Sequence, residues 1–167
     1  MRDSDIEIRS LREDDVREIR NLSEGLGLSP WTRQDYLDEM RRSDAHLMVA
    51  VKDESVIGFL VSRRVPGAAA GTFDAEIYNI GVREEYQGSS IGQKLMGDLV
   101  RECRDNSVRD VWLEVRRKNM KAIRFYKRFG FKEDGIRPAF YQHPPDDAVT
   151  MHLTIPAQTN ELNVTNP

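Results

Sequence analysis

The stretch Gln87-Gly88-Ser89-Ser90-Ile91-Gly92 is where residue types and spacing point most directly to chemistry. Preceded by Asn79-Ile80-Gly81-Val82 and followed by Gln93-Lys94-Leu95, it reads as a strand, a turn of small residues and the first turn of a helix. A helix start leaves backbone N–H groups without intrahelical acceptors and carries a partial positive charge, and small residues let an anion come close to those donors. The chemistry implied is the binding of phosphate oxygens. A Walker loop is excluded, because Gly92 is followed by Gln93 and Lys94 rather than by Lys and a hydroxyl residue. A dinucleotide fingerprint fits poorly, since Gly88 and Gly92 lack the glycine between them.

The elements that must hold this turn are legible around it. Asp74 to Val82 is the strand that feeds it, and Gly81 inside it either weakens it or marks a bulge where something else comes close. Ile91, Leu95, Leu99 and Cys103 recur at spacing four, with Met96 and Val100 alongside, which predicts an amphipathic helix packed on a sheet. Asp110 to Val115 is the next strand, so that residues 74–115 form a β-α-β crossover joining parallel strands. Asn119 as N-cap and Gly130 as stop bracket a helix with Ala122, Ile123, Phe125, Tyr126 and Phe129 near one face. Upstream, Ile6 to Arg9 alternates like a short strand, and Asp14 or Asp15 caps a helix that ends at Gly25. Thr32, with Asp35 at the capping-box position, opens a short helix to about Arg41. His46 to Val51 and Val56 to Val65 form an antiparallel hairpin across Lys52-Asp53-Glu54-Ser55. Two last strands, near Phe131 to Arg137 and Ala148 to Ile155, flank a Pro144-Pro145 loop. The fold class predicted is α/β with a mixed sheet, antiparallel in its first half, in a single domain over 1–155. Residues 156–167, polar and without an aromatic residue, are expected to be a disordered tail.

Composition narrows the function. The 167 residues are 39% hydrophobic, enough for one compact core. With 25 basic and 28 acidic residues the formal charge is −3, so no global field holds the chain on nucleic acid or an anionic membrane. Cys103 is the lone cysteine and the histidines lie apart at 46, 143 and 152, which argues against a disulfide and against a zinc cluster. The polar N terminus is no signal peptide, and no apolar run approaches the ~18 residues of a membrane span; a cytoplasmic location is expected.

Together these residues resemble the GCN5-related N-acetyltransferase (GNAT) family. Gln87-Gly88-Ser89-Ser90-Ile91-Gly92 matches its acetyl-CoA signature except at the inner glycine, which is Ser90. If that position needs a positive φ, a side chain there costs roughly 1 kcal/mol. The run from Leu113 through Asn119, Tyr126 and Gly130 to Phe131 is similar to the RimI branch, which acetylates protein N termini, including the terminal alanine of a small-subunit ribosomal protein. The likeness extends to Tyr141, Pro145, Asp146-Asp147-Ala148 and Met151, and back to Pro30-Trp31-Thr32. It departs at Gly25-Leu26-Gly27-Leu28, where that branch carries an aromatic residue in a loop that helps shape the peptide site.

The resemblance implies a three-layer domain whose mostly antiparallel sheet is splayed at two central parallel strands, with acetyl-CoA as cosubstrate and no metal. It implies that Glu114 is the general base, with Glu76 as second candidate, and that Tyr126 is the general acid. Without the family, the alternative for Glu114 is a surface strand residue paired to an arginine, and helical spacing alone favours Tyr126 as a core aromatic. Ile80, Gly81 and Val82 would offer backbone groups to the coenzyme arm and to the thioester oxygen. Gln87 to Gln93 would take the phosphates, and Asn119 would cap its helix and touch the coenzyme. The cationic run Arg116, Arg117, Lys118, Lys121, Arg124, Lys127 and Arg128 is either a coenzyme contact or a solvated face. The expected partners are acetyl-CoA and a protein or peptide N terminus, with a monomer or weak homodimer as the working form. Acetylation of a lysine or small amine, and acetyl-CoA binding without turnover, remain as other readings.

Overall fold

The computed structural model describes residues 5–156. One seven-stranded sheet runs in the order β1-β2-β3-β4-β5-β7-β6, built from β1 (Glu7–Ser10), β2 (Ala45–Lys52), β3 (Ser55–Pro66), β4 (Phe73–Val82), β5 (Val108–Arg116), β6 (Lys132–Gln142) and β7 (Pro145–Thr154). All neighbours are antiparallel except β4 and β5. The helices α1 (Val16–Gly25) and α2 (Arg33–Met40) precede the first hairpin, α3 (Ile91–Asp105) joins the parallel pair, and α4 (Met120–Phe129) follows β5. The mixed sheet and the crossover agree with the sequence; the tail expected beyond Pro156 lies outside the described residues. Among those residues no helix is long and apolar enough to cross a membrane.

Local signals explain most boundaries. The β2–β3 turn places Asp53 and Glu54 at φ of 47° and 61°, the left-handed turn whose twist matches paired strands. Asp35 N–H donates to Thr32 Oγ1 at 3.1 Å while Thr32 N–H donates to the Asp35 carboxylate at 2.7 Å, closing the capping box that starts α2. Asn119 Oδ1 accepts the Ala122 N–H at 3.1 Å, and Gly130 at φ 112° ends α4. α1 departs from expectation. The Asp15 side chain does not cap it; its carboxylate accepts the Arg12 N–H at 2.7 Å and is gripped by the Arg9 guanidinium at 2.7 and 2.8 Å, which ties the helix start to β1.

The last hairpin also departs. β6 and β7 reach to Gln142 and Pro145, so that the chain turns at residues 143–144 rather than through a longer loop. β6 is an edge strand exposed along nearly its whole length and carries Pro138, so neither alternation nor burial marks it in the sequence. Between the pairs Arg137↔Ala148 and Tyr141↔Asp146 its register shifts, and residues 138–140 stand against one residue of β7.

Helices on both faces divide the interior in two. Toward α3 and α4, Ile57, Leu60, Ile77, Leu95, Leu99, Val111, Leu113 and Met151 form one cluster. Toward α1 and α2, Val16, Ile19, Tyr36, Val49, Phe59 and Val61 form the other. β4 carries an irregularity that this division requires. Ile77 and Ile80 both pack in the α3-side cluster although they are three positions apart, which strict alternation forbids. The register jumps from Ser62↔Ile77 to Val61↔Asn79, leaving Tyr78 as the extra, bulged residue. The bulge therefore sits at Tyr78 and not at Gly81. Gly81 is the close approach instead: a Cβ there would lie 2.9 Å from Leu26 Cδ1 and Phe59 Cε1 and 3.1 Å from Leu28 Cδ1, because the α1–α2 loop rests on β4.

Two consequences are measurable. Gly81→Ala forces this contact apart and is expected to cost about 1–3 kcal/mol, read as a lower urea midpoint with an unchanged slope. Cys103 lies in the α3-side cluster, and burial, with Glu102 adding to it, pushes its thiol from 9.0 up to about 12. The folded state then holds a proton that the unfolded state releases, so this contribution is complete below pH ~8.5 and is lost as pH rises toward the folded value. Between pH 8.5 and 10 the urea midpoint should fall, and Cys103→Ala should flatten that slope.

Candidate active site

β4 and β5 pair only over the first part of their length, from Phe73↔Val108 to Ile77↔Leu113. Beyond that point β4 stays with β3 through Gly58↔Val82, and β5 stays with β7 through Arg116↔Ala148, so the two strands part. Arg83 N–H donates to the Ile57 C=O at 2.9 Å. By antiparallel alternation Gly81 also turns its amide groups toward β3, whereas Ile80 and Val82 turn theirs toward the parting. The Val82 C=O accepts Gln87 Nε2 at 2.9 Å, and Lys121 Nζ donates to Gln87 Oε1, so this side chain straps the turn to the end of β4 and to α4.

The turn leads into α3 at the same end. Gly88 adopts φ 82° with open space where a Cβ would project, whereas Ser90 sits at φ −75° in the right-handed region. The exchange of glycine for Ser90 thus carries no left-handed penalty. The first bond of the α3 ladder runs from Lys94 N–H to Ser90 C=O at 2.8 Å, so the N–H groups of Ile91, Gly92 and Gln93 precede it. The Ser89 hydroxyl donates back to the Tyr86 C=O. Gly92 has a packing reason: a Cβ there would lie 3.1 Å from Phe125 Cζ of α4. Lys121 adds positive charge beside this mouth. A cavity of about 450 Å³ on the α1 side is lined by Glu18, Leu26, Arg83, Glu84 and Glu85; its carboxylates make it the wrong place for phosphate, and they leave that task to the α3 side.

The candidate acid and base reach the parting from opposite faces of the sheet. Val111, Leu113 and Val115 of β5 face α3 and α4, which puts Trp112, Glu114 and Arg116 on the other face. Glu76 lies opposite Trp112 on the neighbouring strand and accepts the Tyr78 hydroxyl at 2.9 Å. Burial, then this bond to Glu76, pushes the Tyr78 phenol up to about 12. Trp31 stacks between Tyr36 and Tyr78 at centroid distances of 5.2 and 6.2 Å. The Glu114 carboxylate is ion-paired with Arg137 of β6. Tyr126 approaches from the α4 side, buried between Phe125 and Phe131 at 5.4 and 5.6 Å. Burial drives its phenol well above its ordinary 10.0, with the neighbouring Tyr141 adding to the effect. Tyr141 links the two: its hydroxyl donates to the Glu114 C=O at 3.2 Å, and burial followed by the Glu114 charge raises its own value. Asn119 is occupied as the cap of α4. Of the cationic run, Arg116 and Arg117 are bound to the β6–β7 hairpin and Lys127 to Glu133, which leaves Lys118, Lys121, Arg124 and Arg128 without an ion-pair partner among the described residues.

Sequence reasoning did not find Arg137 or the Tyr141 contact with Glu114. Both arrive from β6, whose displaced residues 138–140 hide the register that would have placed Arg137 beside β5.

Comparison with known proteins agrees with this geometry. The family model described as acetyltransferase (GNAT) family matches residues 13–131. A Bacillus subtilis protein that carries the name ribosomal protein bS18-alanine N-acetyltransferase provisionally is 32% identical over 149 residues, 89% of this chain and 95% of the relative. The crystal structure of Ard1 from Thermoplasma volcanium superposes with a TM-score of 0.81 at 28% identity, covering 91% of this chain and 99% of that one. The ribosomal-protein-S18-alanine N-acetyltransferase of Escherichia coli shares the fold with a TM-score of 0.77 at 24% identity, over 94% and 98% of the two chains. A mixed sheet parted at its parallel pair, a glycine turn leading into α3 and a family match over most of the chain together place this protein in the GNAT family of acetyltransferases.

Proposed function

We propose that this enzyme acetylates the free α-amine of a protein N terminus, a ribosomal protein being the leading acceptor, with acetyl-CoA as donor and by direct attack. The observation that carries the reading is the parting of β4 from β5, with the N-terminus of α3 at one end and Glu114 and Tyr126 on opposite faces of the sheet. The name carried by the Bacillus subtilis relative supports the acceptor class.

Acetyl-CoA supplies the activated acyl thioester, and the residues present fit it. Gly88 at φ 82° lets the turn pass close to a pyrophosphate, and the N–H groups of Ile91, Gly92 and Gln93 stand ahead of the α3 ladder. The amide groups of Ile80 and Val82 would pair with the pantetheine arm as a strand does and give the thioester oxygen a donor. An α-amine titrates at about 7.7–8.0, so roughly a tenth is neutral at pH 7, while a lysine near 10.4 costs about 3 kcal/mol more to deprotonate. A single carboxylate, Glu114, suffices to take the proton directly or through water. Glu76 stays the second candidate; its carboxylate accepts the Tyr78 hydroxyl through one oxygen. Tyr126 stays protonated by burial and donates toward the leaving sulfur. A thiol titrates near ~8.5, so full proton transfer from a phenol above 10 is uphill by at least about 2 kcal/mol. The hydrogen bond to the developing thiolate is therefore the larger part of what Tyr126 supplies.

With acetyl-CoA and two synthetic peptides that begin with alanine and contain one internal lysine, coenzyme A release should require a free N terminus. Transfer to the N-terminally blocked peptide would overturn the acceptor class. Glu114→Gln is expected to lower kcat by about 10²–10⁴-fold, whereas Glu76→Gln should stay within about tenfold of the parent, as expected of a residue that is not the base.

A further inference from the structure

Arg137 is a charged side chain that the chemistry above leaves unassigned, and its surroundings are unusually fixed for an edge strand. Residues 138–140 bulge out of the β6–β7 pairing, with Ala139 in the left-handed region at φ 51°. Bonds within the hairpin hold the bulge: Ala139 N–H donates to Asp147 Oδ1 at 3.0 Å, and Gln142 Nε2 donates to the Ala139 C=O at 2.9 Å. A bulge re-aims the side chains beside it. Here it brings the Phe140 ring under the Arg137 guanidinium, 4.5 Å from centroid to Cζ, and sets Phe140 edge-on against Tyr141 at 5.0 Å. The guanidinium so braced is paired with Glu114 Oε1 through one nitrogen. Glu114 Oε2 has no hydrogen-bond partner among the described residues.

An ion pair this exposed contributes at most about 1 kcal/mol to stability, so its main consequence is geometric. A glutamate on a strand can swing through several rotamers, and a base must stand within hydrogen-bond reach of the proton it takes. We infer that Arg137 is a positioning residue for acetyl transfer, clamping one oxygen of Glu114 so that the other faces the acceptor amine. This inference rests on the reading of Glu114 as the base. It requires no new reaction step; the proton still passes from the amine to Glu114.

The test is a double-mutant cycle on the full chain, with a synthetic peptide bearing a free N-terminal alanine and saturating acetyl-CoA, followed by release of coenzyme A. Arg137→Gln should lower kcat about tenfold, the scale of a misplaced catalytic group, with the KM for acetyl-CoA within about twofold because the phosphate site is untouched. Arg137→Lys should recover most of the rate, since the clamp uses one nitrogen. In a Glu114→Gln background Arg137→Gln should change little, because the carboxylate it positions is gone. A kcat for Arg137→Gln equal to the parent, or an undiminished further loss in the Glu114→Gln background, overturns the inference while Glu114 keeps its role. A Glu114→Gln enzyme with the parent's rate overturns the base assignment and this inference with it.

Discussion

The parting of two parallel strands is the constraint on which this molecule turns. A continuous β4–β5 ladder would satisfy every main-chain group and leave no route through the sheet. Ending it after Ile77↔Leu113 leaves the amide groups of the half-buried Ile80 and Val82 without a neighbouring strand on that side. The strands bear this because each keeps an antiparallel partner on its outer side. The bulged Tyr78 increases the local twist where β4 turns away from β5. Gln87 matches one of the orphaned carbonyls. Tyr126 lies on the α4 side of the sheet and Glu114 on the other, with Tyr141 beside both.

Around that break the last hairpin acts as a wall fixed by many weak contacts. Arg116 lies over the Tyr141 ring at 4.1 Å and donates to the carbonyls of Pro144 and His143 at 2.8 and 3.1 Å. Arg117 pairs with Asp147 at 3.2 Å, and the Lys118 N–H donates to Asp146 at 3.2 Å. Each contact is exposed and worth little alone. Their number sets where Tyr141 stands relative to Glu114.

Legibility in the sequence followed the range of the interaction concerned. The α3 stripe, the Asn119 cap, the Gly130 stop and the Thr32–Asp35 box are signals within one turn of chain, and each was readable. The glycine turn ahead of α3 was readable for the same reason. Asp15 misled because its side chain answers to Arg9 on β1 rather than to its own helix. The bulge at Tyr78 was present in the three-residue spacing of Ile77 and Ile80, but only once both faces of the sheet were known to be buried. Arg137 was out of reach because its contact spans 23 residues and depends on a bulge in a strand without apolar alternation.

The sheet also partitions the labour between its faces. The cluster under α3 and α4 supports the turn into α3 and Tyr126, while the cluster under α1 and α2 supports the loop of Leu26, Leu28 and Trp31 on the opposite side. Different side chains make up the two clusters, and changes at sites without common contacts combine nearly independently. A change in the α1–α2 loop therefore reshapes one face of the sheet while the packing beneath the turn into α3 stays as it is.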